Sequence, residues 1–127
     1  MISVTLDHSD YVVGDRVTGH ILWNPSSQSN PRGIIVMAQW RTEGRGDSTS
    51  DIVAELRADA GPTGFTPPVQ LPFELTLPSD GPISYNGKLI RVIWEIIVRI
   101  DLPMALDTRH TEAFYVFPRQ LAPDPFG

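Results

Sequence analysis

Alternation of apolar and polar residues narrows what this chain can fold into more than any other feature. Val69, Leu71, Phe73, Leu75 and Leu77 are separated by Gln70, Pro72, Glu74 and Thr76. That period of two puts one set on one face of an extended strand and the other set on the reverse face. The same period runs through Ile2, Val4 and Leu6, then Val17, Gly19, Ile21 and Trp23, then Ile34, Val36, Ala38 and Trp40. It returns in Ile90, Val92, Trp94, Ile96, Val98 and Ile100, where the opposite face mixes Leu89, Ile93 and Ile97 with Arg91, Glu95 and Arg99. A second face of that kind belongs to a central strand that is only partly wet. Shorter strands are expected over Ile52 to Leu56 and Thr111 to Phe117. Pro72 has no N–H to give to a ladder and is expected at an edge or beside a bulge.

The segments between the strands carry turn chemistry. Asn24 to Arg32, Gly44 to Ser50 and Ala58 to Pro68 are rich in Gly, Pro, Ser, Asn and Asp, and no stretch keeps a helical period over three turns. About seven strands punctuated in this way describe an all-β, immunoglobulin-like antiparallel β-sandwich. One domain is expected over residues 1–118, followed by a Pro-rich tail over 119–127 that holds Pro123 and Pro125.

A chain of 127 residues can bury a sizeable core without staples, in keeping with its lack of cysteine. Zero cysteines exclude a thiol nucleophile, a Cys-ligated zinc site and the disulfide of antibody-type sandwiches. The net charge of −5, with ten Lys and Arg residues scattered along the chain, provides no basic stripe for a phosphate backbone, so nucleic acid is not an expected partner. No apolar run is long enough to span a bilayer as a helix, and Met1 leads into Ile2-Ser-Val4 without a leader pattern, which makes the cytoplasm the expected location.

Two segments together resemble the N-terminal half of the arrestin superfamily. The first is Tyr11-Val-Val-Gly14-Asp15-Arg-Val17-Thr-Gly19, a tight turn followed by a strand in which glycine permits close backbone approach. The second is Leu71-Pro-Phe73 to Pro78, leading through Gly81-Pro-Ile-Ser84-Tyr85 into Arg91-Val-Ile-Trp94-Glu-Ile-Ile-Val98, with Trp40 to Gly44 lying between the two. The resemblance runs from Val4 to about Pro123, where arrestins begin a second sandwich. It implies an arrestin N-domain type of sandwich that binds other proteins through loops and sheet edges. The receptor-phosphate lysines of arrestins have no counterpart in Ile2 to Asp10, so phosphoreceptor recognition is not implied.

Arrestins touch receptors with the loop that follows the strand ending here at Gly44. On that analogy Arg45 and Asp47 are the candidate partner contacts, in a loop expected to be exposed and mobile. They belong to Arg45-Gly-Asp47, a tripeptide that integrins recognise, although Gly, Asp and Ser are also ordinary loop residues. No catalytic, cofactor or metal residue is assigned. His8, His20 and His110 match no metal-ligand spacing, and Ser84, Asp107 and His110 lack the nucleophile elbow of a hydrolase. Glu95 and Asp101, about 20 Å apart along one strand face, are too distant for a glycosidase pair. Asp124-Pro-Phe126 resembles a short adaptor-binding peptide.

The expected function is therefore a non-catalytic interaction or scaffold module with an unidentified protein partner and no cofactor. The alternative is a carbohydrate-binding or adhesive module using Trp23, Trp40 and Trp94, although each indole is in register with aliphatic neighbours and reads as core. Leu89, Ile93 and Ile97, apolar and opposite the core face, suggest a homodimer formed through a sheet edge or face.

Overall fold

The computed structural model describes residues 2–25, 31–46, 48–61, 64–65, 68–103 and 108–118. Asp47, Asp107 and the Asp124-Pro-Phe126 motif lie outside the described residues. Nine strands are described: β1 (Ile2–Leu6), β2 (Asp10–Val12), β3 (Arg16–Trp23), β4 (Gly33–Gly44), β5 (Ser50–Asp59), β6 (Val69–Thr76), β7 (Tyr85–Asn86), β8 (Ile90–Asp101) and β9 (Thr108–Phe117). The seven expected strands are all present, and β2 and β7 are too short to leave a periodic trace in the sequence. No helix among the described residues is long and apolar enough to cross a membrane.

The strands form two sheets that pack as a sandwich. The smaller runs β1-β3-β6, and the larger runs β2-β9-β8-β4-β5 with β7 beside β8. All pairs are antiparallel except β2 with β9. The backbone of the larger sheet is the β4–β8 ladder, which runs from Gly33 opposite Asp101 to Gly44 opposite Ile90.

The core follows the alternation. Val69, Phe73, Leu75 and Leu77 are buried in one cluster with Trp94, Ile96, Val98 and Ile100, and Leu71 packs against its margin. Trp94 is 1 % exposed, tilts against Phe114, and donates its indole N–H to the Pro82 carbonyl at 2.9 Å. Pro72 sits on β6, an edge strand, opposite His20. Gly19 is central to the smaller sheet, where a Cβ would collide with the Thr5 carbonyl oxygen and lie 3.0 Å from the Phe73 ring. The phenyl group thus occupies the space that glycine leaves.

The two segments that carried the resemblance meet in space. The Gly14 N–H donates to the Pro78 carbonyl at 3.2 Å, and the Leu77 N–H donates to the Asp15 carbonyl at 2.8 Å. Gly14 holds a positive φ of 85°, and Asp15 closes the turn by accepting the Val12 N–H at 2.9 Å. Just before it, Tyr11 is buried edge-on to Phe114, with its hydroxyl between the His8 N–H and the Thr18 carbonyl. Loss of solvent around that phenol raises its pKa above the usual tyrosine value.

Two expectations are corrected by tertiary context. The short strand over Ile52 to Leu56 extends to Ser50–Asp59, because β4 provides a partner along its length and the register shift between Ala38 and Gln39 absorbs one extra residue. The outer face of the larger sheet is also drier than its mixed sequence suggests. Ile97 is buried there with Ile35 and Met37, so only Leu89, 64 % exposed, and the half-buried Ile93 remain of the apolar set facing away from the core.

At one corner Gly33 lies opposite both Asp59 and Asp101. With no side chain on Gly33, the Arg57 guanidinium crosses over it, pairing with Asp59 and reaching Asp101 at 2.9 Å. Arg32 also contacts Asp101 at 3.0 Å. The Arg57 hydrogen bond, reinforced by Arg32, holds the Asp101 carboxyl below its ordinary pKa, and the two carboxylates raise that of Arg57.

Two measurements test this account. Trp94→Ala should lower unfolding free energy by about 3 to 5 kcal/mol in denaturant titrations, the range for emptying a core aromatic site. A loss below about 1 kcal/mol would contradict its central position. Asp101 is depressed in the folded state, so its contribution is fully present above the unfolded carboxylate value of about 3.9 and is lost as pH falls through the lower folded value. Melting temperatures of wild type and Asp101→Asn should therefore differ by a constant amount near neutrality and converge below about pH 4. Curves that stay parallel into acid would remove the clamp.

Candidate protein interaction site

The groove in the larger sheet arises where two strands part. The β8–β9 ladder ends at Trp94 opposite Phe114. Beyond it, Tyr115, Val116 and Phe117 pair with β2, while Tyr85 and Asn86 take over as neighbours of Val92 and Arg91. Ser84 secures the insertion from both ends. Its N–H donates to the Val116 carbonyl at 2.8 Å, and its hydroxyl accepts the Val116 N–H at 2.8 Å. A depression of about 490 Å³ results, walled by Tyr85, Asn86, Arg91, Ile93, Tyr115 and Phe117.

Its rim carries three exposed aromatic side chains. Tyr85, Tyr115 and Phe117 line the groove and are exposed; the other exposed large apolar side chains among the described residues, Ile83, Leu89, Ile90, Leu22 and Ile52, do not line it. Isolated exposed apolar groups are normal, whereas a concentration around one concavity marks a place where another surface docks. Tyr85, Tyr115 and Phe117 are 56 %, 60 % and 46 % exposed and offer broad contact area at small entropic cost.

Charge surrounds this rim. Glu43 pairs with both Arg91 and Arg41, and Arg41 continues to Glu95 at 3.2 Å, where Gln39 also donates at 3.1 Å. Glu95 is thereby held at 7 % exposure with its charge matched. Arg45 and Lys88 stand exposed near the same end of the sheet. Arg45 and Lys88 add positive charge to this balanced network, while the exposed Asp10 stands opposite Tyr115 at the other side of the groove.

Arg45 connects the sequence-derived candidate loop to this end of the sheet. Its N–H donates to the Leu89 carbonyl at 3.0 Å, and Gly44 adopts φ 143° where a Cβ would strike the same carbonyl. The Thr42 N–H donates to the Thr49 carbonyl at 2.8 Å, closing the base of the hairpin. Arg45 is exposed, and Asp47 lies outside the described residues. The groove itself escaped the sequence reading, since it depends on strands that separate rather than on any residue pattern. Tyr85, Tyr115 and Phe117 carried the one available signal, being aromatics outside the principal alternating core sets.

The remaining constellations do not converge. Ser84 is adjacent to Val116 while His110 lies opposite Val98, six residues along β9 or about 20 Å away. His110 is instead 3.4 Å from Glu112. Trp23 and Trp94 are 3 % and 1 % exposed, and Trp40 packs against the core, which withdraws them from a sugar-stacking surface. No group of three or more metal-ligating side chains occurs among the described residues.

No family model matches the chain, and no curated protein matches it by sequence. Among solved structures it is similar to Spo0M, sporulation control protein, from Bacillus subtilis, with a TM-score of 0.71 and 21 % sequence identity. The match covers 91 % of this chain and 48 % of that one, so the chain spans about half the length of its structural neighbour. The fold is arrestin-like.

Proposed function

We propose that this chain is a non-catalytic, arrestin-like interaction or scaffold module that captures an extended segment of another protein in the groove between β7, β8 and β9. The observation that carries the reading is the gathering of three exposed aromatic side chains, Tyr85, Tyr115 and Phe117, around one concavity. The fold agrees with it, being a scaffold on which loops and sheet margins are free to vary. Arg45, Lys88 and Arg91 make an acidic segment with one or two aromatic or aliphatic anchors the best complement. Arg45 and Asp47 are assigned to the margin of that contact. A cytoplasmic setting and self-association as a homodimer belong to the same proposal.

Selection from a random heptapeptide phage library on the immobilised protein tests this reading. Enriched peptides should combine Asp or Glu with an aromatic or branched aliphatic residue. Tyr115→Ala and Arg91→Glu should each weaken an enriched peptide about tenfold, as expected for hot-spot positions, while melting temperature stays close to wild type. Lack of enrichment, or binding indifferent to both substitutions, would reject the groove as a peptide site. A glycan array run in parallel covers the carbohydrate alternative, for which Tyr85 and Tyr115 would now be the stacking surfaces.

A further inference from the structure

Among the described residues, four strands stand at the ends of the two sheets and the two-residue β7 lies beside β8; of these five, only one is open to addition along its length. β1 and β2 span Ile2–Leu6 and Asp10–Val12, too short for a stable ladder of their own, and β6 is interrupted by Pro72. β5 runs from Ser50 to Asp59 without proline or glycine, and among the described residues it pairs on one side alone, with β4.

The backbone direction along that edge follows from the register. Gly33 lies opposite Asp59, and the Ala60 N–H donates to the Arg32 carbonyl at 3.0 Å. In an antiparallel ladder alternate residues turn both backbone groups toward the neighbour, so Ala54, Leu56 and Ala58 face β4. Glu55, Arg57 and Asp59 turn theirs outward. Their side chains are exposed as well, on the outer sheet face beside Met37 and Ile35.

We propose that a second copy of this chain pairs antiparallel with β5, on a two-fold axis through Leu56. This rests on the self-association proposed above and assigns its surface. With the axis at Leu56, Glu55 stands opposite the partner's Arg57, and symmetry repeats the pair. Both members bring outward N–H and C=O groups, so hydrogen-bonded positions coincide with opposite charges. An axis at Glu55 would set Glu55 against its own copy, and one at Arg57 would set guanidinium against guanidinium. An axis at Ala58 would match Arg57 with Asp59 but shorten the ladder, because the strand ends at Asp59. The Arg57 guanidinium lies over Gly33 and holds Asp101, on the β4 side of β5, so the pair with the partner's Glu55 forms by exchange: Arg57 swings out across its own strand and leaves Asp101 to Arg32.

Sedimentation velocity over roughly 1 to 100 µM of the full chain reads the outcome as a dimer dissociation constant. Glu55→Arg, which places like charges opposite each other twice, should weaken the dimer about tenfold or more, and Glu55→Gln by a smaller factor. Glu55→Pro removes an N–H that turns away from β4, so the chain keeps its own ladder and melting temperature while losing the dimer. Tyr115→Ala, in the groove, should leave the dimer unchanged. If the proline variant does not fold, the arginine variant alone decides. A wild-type dimer that persists in Glu55→Arg overturns the β5 assignment and leaves self-association standing on another surface. A wild-type chain that sediments as a monomer throughout overturns both.

Discussion

The antiparallel pairing of β4 with β8 is the constraint on which the rest of the molecule depends. Both strands sit inside the larger sheet, and both present aliphatic side chains to the core along most of their length. The other elements of that sheet follow from them: β5 along β4, β9 along β8, β7 in the space that β9 vacates, and β2 at one remove along β9. A slip of one residue between them would carry either Ile34, Val36 and Ala38 of β4 or Ile96 and Val98 of β8 to the wrong side. Burial therefore fixes the register more firmly than the hydrogen bonds, which a slipped ladder could re-form.

The alternation of side chains was legible because burial on one face is a local, repeated demand. Phe73 and Trp94 could be placed against one core without knowing which strands were neighbours. Features set by neighbours were not legible. Nothing local in Glu95 says that Gln39 and Arg41 will cover it, and nothing in Ile97 says that Ile35 and Met37 will stand beside it. β2 and β7 are too short for a period to register, although they define where β9 leaves the ladder. The sequence reading named Arg45 because of its loop, and the groove lies beside the strand to which that loop is tied.

Charge contributes differently at the two ends of the β4–β8 ladder. Near Gly33, Arg57 and Arg32 converge on Asp101, fastening three neighbouring chain segments at a corner that is partly open to water. Such a contact stabilises modestly and weakens with salt. Near Gly44, the chain from Glu95 through Arg41 and Glu43 to Arg91 balances its own charges beside the groove. A partner carboxylate arriving there would compete with Glu43 for Arg91, which favours specificity over raw affinity.

The insertion at Ser84 to Asn86 has a consequence for how such a protein can change over generations. None of the residues from Ser79 to Leu89 is buried. They are attached to the sandwich chiefly through backbone groups, the Ser84 hydroxyl and the Pro82 carbonyl that meets Trp94. The segment can therefore be rewritten, lengthened or exchanged while the hydrophobic interior stays as it is. Evolutionary change in this one stretch would alter what the surface selects, leaving the scaffold free to be inherited almost unaltered.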